Sequence, residues 1–152
     1  MPPIQTVYND TMPEGYEGAV ANARLRDFFS RTCEDAGITR FGRFVARGTT
    51  ERTVTTNLVG KTSVLALTVL DRGARPATDT TAEGFAQYDS ARLAAKGSFW
   101  VRASVAVEAD TPAYVTAANP GLVTNVEGTN IRVGKFETSA GAGELVIVNI
   151  DL

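Results

Sequence analysis

Among the side chains that could do acid, base or nucleophilic chemistry, the most informative is the one the chain lacks. There is no histidine in 152 residues, which removes a Ser-His-Asp triad, a Cys-His pair, an imidazole base and any His-bearing zinc site. Cys33 is the sole cysteine, so neither an intramolecular disulfide nor a thiolate cluster can form. With no charge pattern beside it to depress its pKa, it reads as a small core residue. Carboxylates do pair in sequence, at Glu34-Asp35 and at Glu14 with Glu17. A working acid–base pair needs one pKa raised by burial and a set separation, so adjacency alone reads as surface acid. Val59-Gly60-Lys61-Thr62 is similar to the end of a phosphate-binding loop, but Thr55 or Thr56 stands where its first glycine is required. It reads as a turn before a strand. Ser139 to Gly143 reads as a flexible turn rather than a nucleophile elbow, and Asp71, Asp79 and Asp89 are too irregularly spaced for a calcium loop. The chain is expected to be no enzyme and to need no cofactor or metal.

Charge narrows the partners. Fifteen basic residues are scattered among seventeen acidic ones, giving a net charge of -2 and a pI near 5.2, whereas phosphate binding needs clustered Lys and Arg. The densest basic stretch, Arg40, Arg43, Arg47 and Arg52, is broken by Glu51 and by apolar Phe41, Phe44 and Val45, and reads as a solvated face. No nucleic acid is expected as a direct partner. Nor is a membrane, since the longest apolar run, from Val64 to Leu70 with Thr68 inside it, is far short of the ~20 residues a spanning helix needs. The first five residues have neither the charged start nor the apolar core of a secretory signal. One free thiol fits a reducing or neutral compartment.

The elements that hold these residues come next. With 43% apolar residues, the chain is expected to be one domain, and a fold of this size buries roughly 68–70% of its unfolded surface without staples. Residues 1–18 carry prolines at 2, 3 and 13 and isolated apolar side chains at Ile4, Val7, Tyr8, Met12 and Tyr16. Proline denies backbone donors and biases its predecessor to extended geometry, so an extended arm is expected, followed by a single β-rich domain over 19–152. The arm reads either as a frayed terminus or as a segment that orders on a neighbouring subunit. In 19–36, Leu25, Phe28, Phe29, Thr32, Cys33 and Ala36 recur near helical spacing, with Gly37 placed to end a helix; Phe28-Phe29 equally fits a strand.

From residue 38 the texture becomes Val- and Thr-rich. Strands are expected at 43–47, 52–59, 63–70, 98–107, 113–118, 122–126, 131–136 and 145–150, which together read as a small barrel or sandwich with at most one or two short helices. Alternation in 98–107 sets Phe99, Val101, Ala103, Val105 and Val107 toward the core and Trp100, Arg102 and Ser104 away from it. Trp100 then either covers a hairpin or marks a contact patch. In 145–150 both faces are apolar, so that strand should be central or covered. Between them, 78–86 reads as a surface loop and 89–96 as a short helix-compatible piece.

The order of these features carries more than any single one. EGYEGAVANA at 14–23, ITRFGRFVARG at 38–48, VGKTSVLALTVLDRG at 59–73, Tyr88, KGSFWVRASVAV at 96–107 and the closing GKFETSAGAGELVIVNIDL together resemble the structural cement or decoration proteins of tailed bacteriophage heads. The similarity covers most of the chain. It departs at Glu108-Ala109-Asp110, where the family pattern has a glycine-aspartate turn, and over 74–87. The resemblance implies a mainly β protein on the outer surface of the capsid that bridges neighbouring major capsid subunits, self-associates as a trimer or dimer, and has no catalytic residues. Ile4, Val7, Tyr8, Met12, Tyr16 and Trp100 are then the candidate contacts with the capsid or a neighbouring subunit. A glycan- or receptor-binding virion domain is the alternative.

Overall fold

Short β-branched runs punctuated by Gly, Asn and Asp fold into eleven strands. The computed structural model describes residues 15–38, 40–71 and 84–152. In chain order the strands are β1 (Asp27–Cys33), β2 (Gly37–Ile38), β3 (Phe44–Arg47), β4 (Thr53–Thr55), β5 (Ala66–Thr68), β6 (Phe85–Ala86), β7 (Ser90–Ala103), β8 (Pro112–Thr116), β9 (Asn119–Thr124), β10 (Ile131–Phe136) and β11 (Leu145–Asp151). Nine of them form one sheet in the order β1-β4-β3-β5-β7-β11-β10-β8-β9, and β2 pairs with β6 in a small second sheet. The expected mainly β class holds. Its form is a bent, sandwich-like sheet rather than a single closed barrel.

Strand β7 is the spine. Its first half pairs with both β1 and β5, and its second half with β11 and, at Arg102 and Ala103, with β9. Two cores result, divided by a shared wall. Phe44, Ala46, Leu67 and Ala94 face one cluster, which continues through Phe99, Val101, Val115, Val133, Phe136, Val146 and Val148. The alternate residues Val45, Ala66, Ala91 and Leu93 face the other, with Cys33, Ile38, Phe41, Val54 and Phe85. This is period-2 alternation buried on both sides, and each large apolar side chain fully buried this way stabilises the fold by about 1.5–3 kcal/mol. Strand β11 is central, between β7 and β10, as its two apolar faces require.

Two helix-compatible readings give way to strands. Within 19–36, Val20 bridges to Phe99 and residues 27–33 form β1; 89–96 is the opening half of β7. In that half Ala91 and Leu93 are buried while Ser90 and Arg92 are exposed, so pairing with β1 and β5 overrides a composition that suits a helix alone. The expected loop over 78–86 is corrected at its end, where Phe85 and Ala86 are buried and paired with β2; residues 72–83 lie outside the described residues. Val105, expected in the core, is 37% exposed because β7 ends at Ala103. Of the arginine stretch, Arg40, Arg47 and Arg52 are exposed, but Arg43 is half-buried against β9.

Candidate functional site

The first described residues, from Gly15 onward, meet the body at Trp100. Ile4, Val7, Tyr8 and Met12, like Glu14, lie outside the described residues, whereas Tyr16 is described and 66% exposed. Trp100 sits on the face of β7 opposite the core-facing Phe99 and Val101, cross-strand from Ile147. It is nonetheless only 9% exposed, because Gly15 lies flat against its indole: a Cβ on Gly15 would come within 2.4 Å of Cδ1 and Nε1. The tryptophan is therefore the seat of the arm's root and not an open aromatic platform.

Backbone pairing fixes the residues that follow. The Gly18 N–H donates to the Trp100 carbonyl (2.8 Å), the Trp100 N–H to Ala19 (3.0 Å) and the Ala21 N–H to Ser98 (2.8 Å), while the Leu70 N–H donates to Gly18 (3.0 Å). Gly18 and Gly42 both have positive φ and press backbone to backbone, so a Cβ on Gly18 would stand 2.7 Å from the Gly42 nitrogen. Only glycine tolerates both demands. The Gly15-Tyr16-Glu17-Gly18 spacing and the Phe41-Gly42 pair are thus two halves of one contact.

Charge reinforces that clamp. Glu17 pairs with Arg102 at 2.6 Å, and Arg102 also donates to the Gly143 carbonyl. Glu137, directly after β10, collects Asn22 (2.9 Å), the buried Ser98 hydroxyl (2.8 Å) and Arg24 (2.6 Å). Two segments distant in sequence, one at 22–24 and one at Ser98, converge on that one carboxylate. Nothing in its neighbourhood in the chain signals this role, since all of its partners come from the region before residue 99.

The paired acids Glu34 and Asp35 have a different task. Glu34 Oε2 accepts from the Thr49 N–H (2.7 Å), the Thr49 hydroxyl (2.8 Å) and the Thr53 hydroxyl (2.8 Å). The Thr49 backbone bond, then the threonine hydroxyls, hold its pKa below the ordinary value. Asp35 accepts from the Thr55 hydroxyl (2.6 Å), the Thr56 N–H (2.8 Å) and the Thr56 hydroxyl (2.6 Å). Both carboxylates pin the turns flanking β4. Burial, seconded by Asp35, pushes the Cys33 thiol up to about 11, which keeps it protonated and unreactive at neutral pH. Lys61 lines a shallow open cleft of about 380 Å³ with Gly60 and Thr62, but its ammonium donates to the Arg47 carbonyl at 3.0 Å. These groups hold turns in place and converge on no common reacting position.

No curated protein matches the sequence. Among solved structures, a chain of the capsid of Myoviridae phage XM1 shares the fold, with a TM-score of 0.61 at 15% identity, covering 96% of this chain and 98% of that one. The head fiber gp8.5 N base of bacteriophage phi29 aligns with a TM-score of 0.47 at 12% identity, covering 84% and 95%. The pattern of the structural cement proteins (E217 gp24/Pam3 gp6) matches residues 4–151, from the arm to the last strand. The chain therefore belongs to the phage structural cement protein family, whose members are structural proteins of the virion capsid.

Proposed function

We propose that this protein binds the outer surface of the assembled phage head, bridges neighbouring major capsid subunits and stabilises the shell against the pressure of packed DNA. The observation that carries this reading is the family match over 4–151, which includes an arm whose root is clamped to a rigid body by Gly18, Trp100 and Glu137. A ligand that binds only the assembled lattice stabilises it by mass action. Ile4, Val7, Tyr8 and Met12, with the exposed Tyr16, are the contacts that reach a neighbouring subunit. Trp100 contributes by seating the arm. Self-association as a trimer or dimer multiplies these contacts through linked binding. A glycan-binding role would call for an open aromatic surface, and Trp100 is covered.

The test is co-sedimentation of the purified protein with emptied, expanded capsids and, separately, with immature shells. Saturable binding to expanded shells, abolished by deleting residues 2–14 while circular dichroism is unchanged, is expected. Full occupancy by the truncated protein would refute the arm's role, and failure of the intact protein to bind either shell would refute the cement reading.

A further inference from the structure

Strand β1 has an open side. It runs beside β7 from Asp27 to Thr32 but meets β4 only at Thr32 and Cys33. The Thr32 N–H donates to the Arg52 carbonyl and the Glu34 N–H to Val54, so this edge faces away from β7. By the alternation of a strand, the amides and carbonyls of Phe28 and Ser30 point the same way, and among the described residues no strand lies there. A row of unpaired backbone groups is a template for another chain unless something protects it.

The side chains around this edge are those of an interface. Phe28 is 36% exposed and Leu25 87%. The Arg26 and Arg92 guanidinium groups stand 5.9 and 4.7 Å from the centre of the Phe28 ring, and Ser30 lies cross-strand from Arg92. Arg31 stacks on Phe29 at 5.2 Å and donates to the Ser30 carbonyl. Arg24, Lys96, Arg102 and Lys135 each have a carboxylate partner. Among the described residues, Arg26, Arg31 and Arg92 have none, as is also true of the dispersed Arg40, Arg43, Arg47, Arg52 and Arg132, but these three lie together along one strand edge. Arg26, Phe28 and Arg92 lie on one face of the sheet and Phe29 and Arg31 on the other, so arginine and aromatic side chains, the composition of binding hot spots, flank the edge on both sides.

Resting on the cement reading, we propose that the β1 edge takes up an extended, carboxylate-bearing segment of the shell protein as an added strand. Main-chain bonds to the Phe28 and Ser30 amides and to the Phe28 carbonyl give it affinity, the Ser30 carbonyl already accepting from Arg31, and the guanidinium groups select for acid.

Amide hydrogen exchange at Phe28 and Ser30 tests this, measured on the full chain alone and on expanded shells. Exchange should be fast in the free protein and at least about tenfold slower on the shell. Ser30→Pro, which removes an outward N–H and no internal bond, and the double variant R26E/R92E should each bind shells at least about tenfold more weakly with unchanged melting. Binding of the wild type should also weaken with added salt. If the wild type binds shells while these amides stay fast, or if both variants bind like the wild type, the inference fails and the cement reading stands. Protection already present in the free protein would place the arm or a second copy on this edge and overturn it. If the wild type binds no shell, the cement reading fails and this inference goes with it.

Discussion

The stretch from residue 15 to residue 33 runs along β7 in two halves that are finished differently. At the first, residues 15–24 are tied to β7 by backbone bonds, by Gly15 on Trp100 and by the carboxylates of Glu17 and Glu137. At the second, β1 has the same partner on one side, but among the described residues no strand pairs with its other side from Asp27 to Arg31. The closed half has its charges paired, whereas Arg26, Arg31 and Arg92 at the open half have no carboxylate partner among the described residues. The bridging role proposed above would give this arrangement a purpose. The part that aims the arm must be rigid within the chain, and the part that receives a partner must be unsatisfied until the partner arrives.

Removing the seat of the closed half should have the largest effect. Trp100→Ala deletes a nearly buried indole and the surface on which Gly15 lies, and is expected to destabilise the protein by about 3–5 kcal/mol in chemical denaturation. A loss below about 1 kcal/mol would mean that the arm's root does not rest on the tryptophan. Glu137→Ala sharpens the contrast, since it leaves the buried Ser98 hydroxyl without its acceptor and frees Asn22 and Arg24; about 1–3 kcal/mol is expected. Exchange at the Ala21 amide should speed up in that variant while exchange at Phe28 and Ser30 stays as it was.

Acid should act most weakly, and on a third region. The pKa of Glu34 is lowered in the folded protein, so its contribution is complete above the ordinary glutamate value of about 4.3 and is lost as the pH falls through the lower folded value. Glu34→Gln should therefore lower melting near neutrality, where the carboxylate contribution is complete, and flatten part of the acid dependence below that value, so that the two proteins converge in acid. Equal acid dependence in both proteins would show that the Thr49 and Thr53 bonds contribute nothing to stability.

The sequence was most legible where alternation is local. The eight expected strands from residue 43 onward are all present with shifted ends, and the central place of β11 follows from its two apolar faces. Strand β1 and the first half of β7 were ambiguous because Phe28, Phe29 and Cys33 satisfy helical spacing as well as a strand. What decides between the two is the partner sixty residues away, with Phe29 opposite Leu93 and Arg31 opposite Ala91. The same limit applies to the site. The Gly15 and Gly18 spacing could be seen, but not that Gly42 is the backbone it must approach. Trp100 was readable as lying on the face opposite Phe99 and Val101, but not that Gly15 lies against its indole and leaves it nearly buried. Glu137 carried no local sign at all, because a carboxylate that gathers partners from residues 22, 24 and 98 is defined only by the fold.

The most direct measurement of the central claim is DNA retention by filled heads on heating, with the protein bound, with it stripped away, and with it added back. The account predicts that stripped heads release DNA at a lower temperature and that re-addition of the intact protein restores the higher one. Equal release temperatures, with occupancy verified on the same heads, would contradict it.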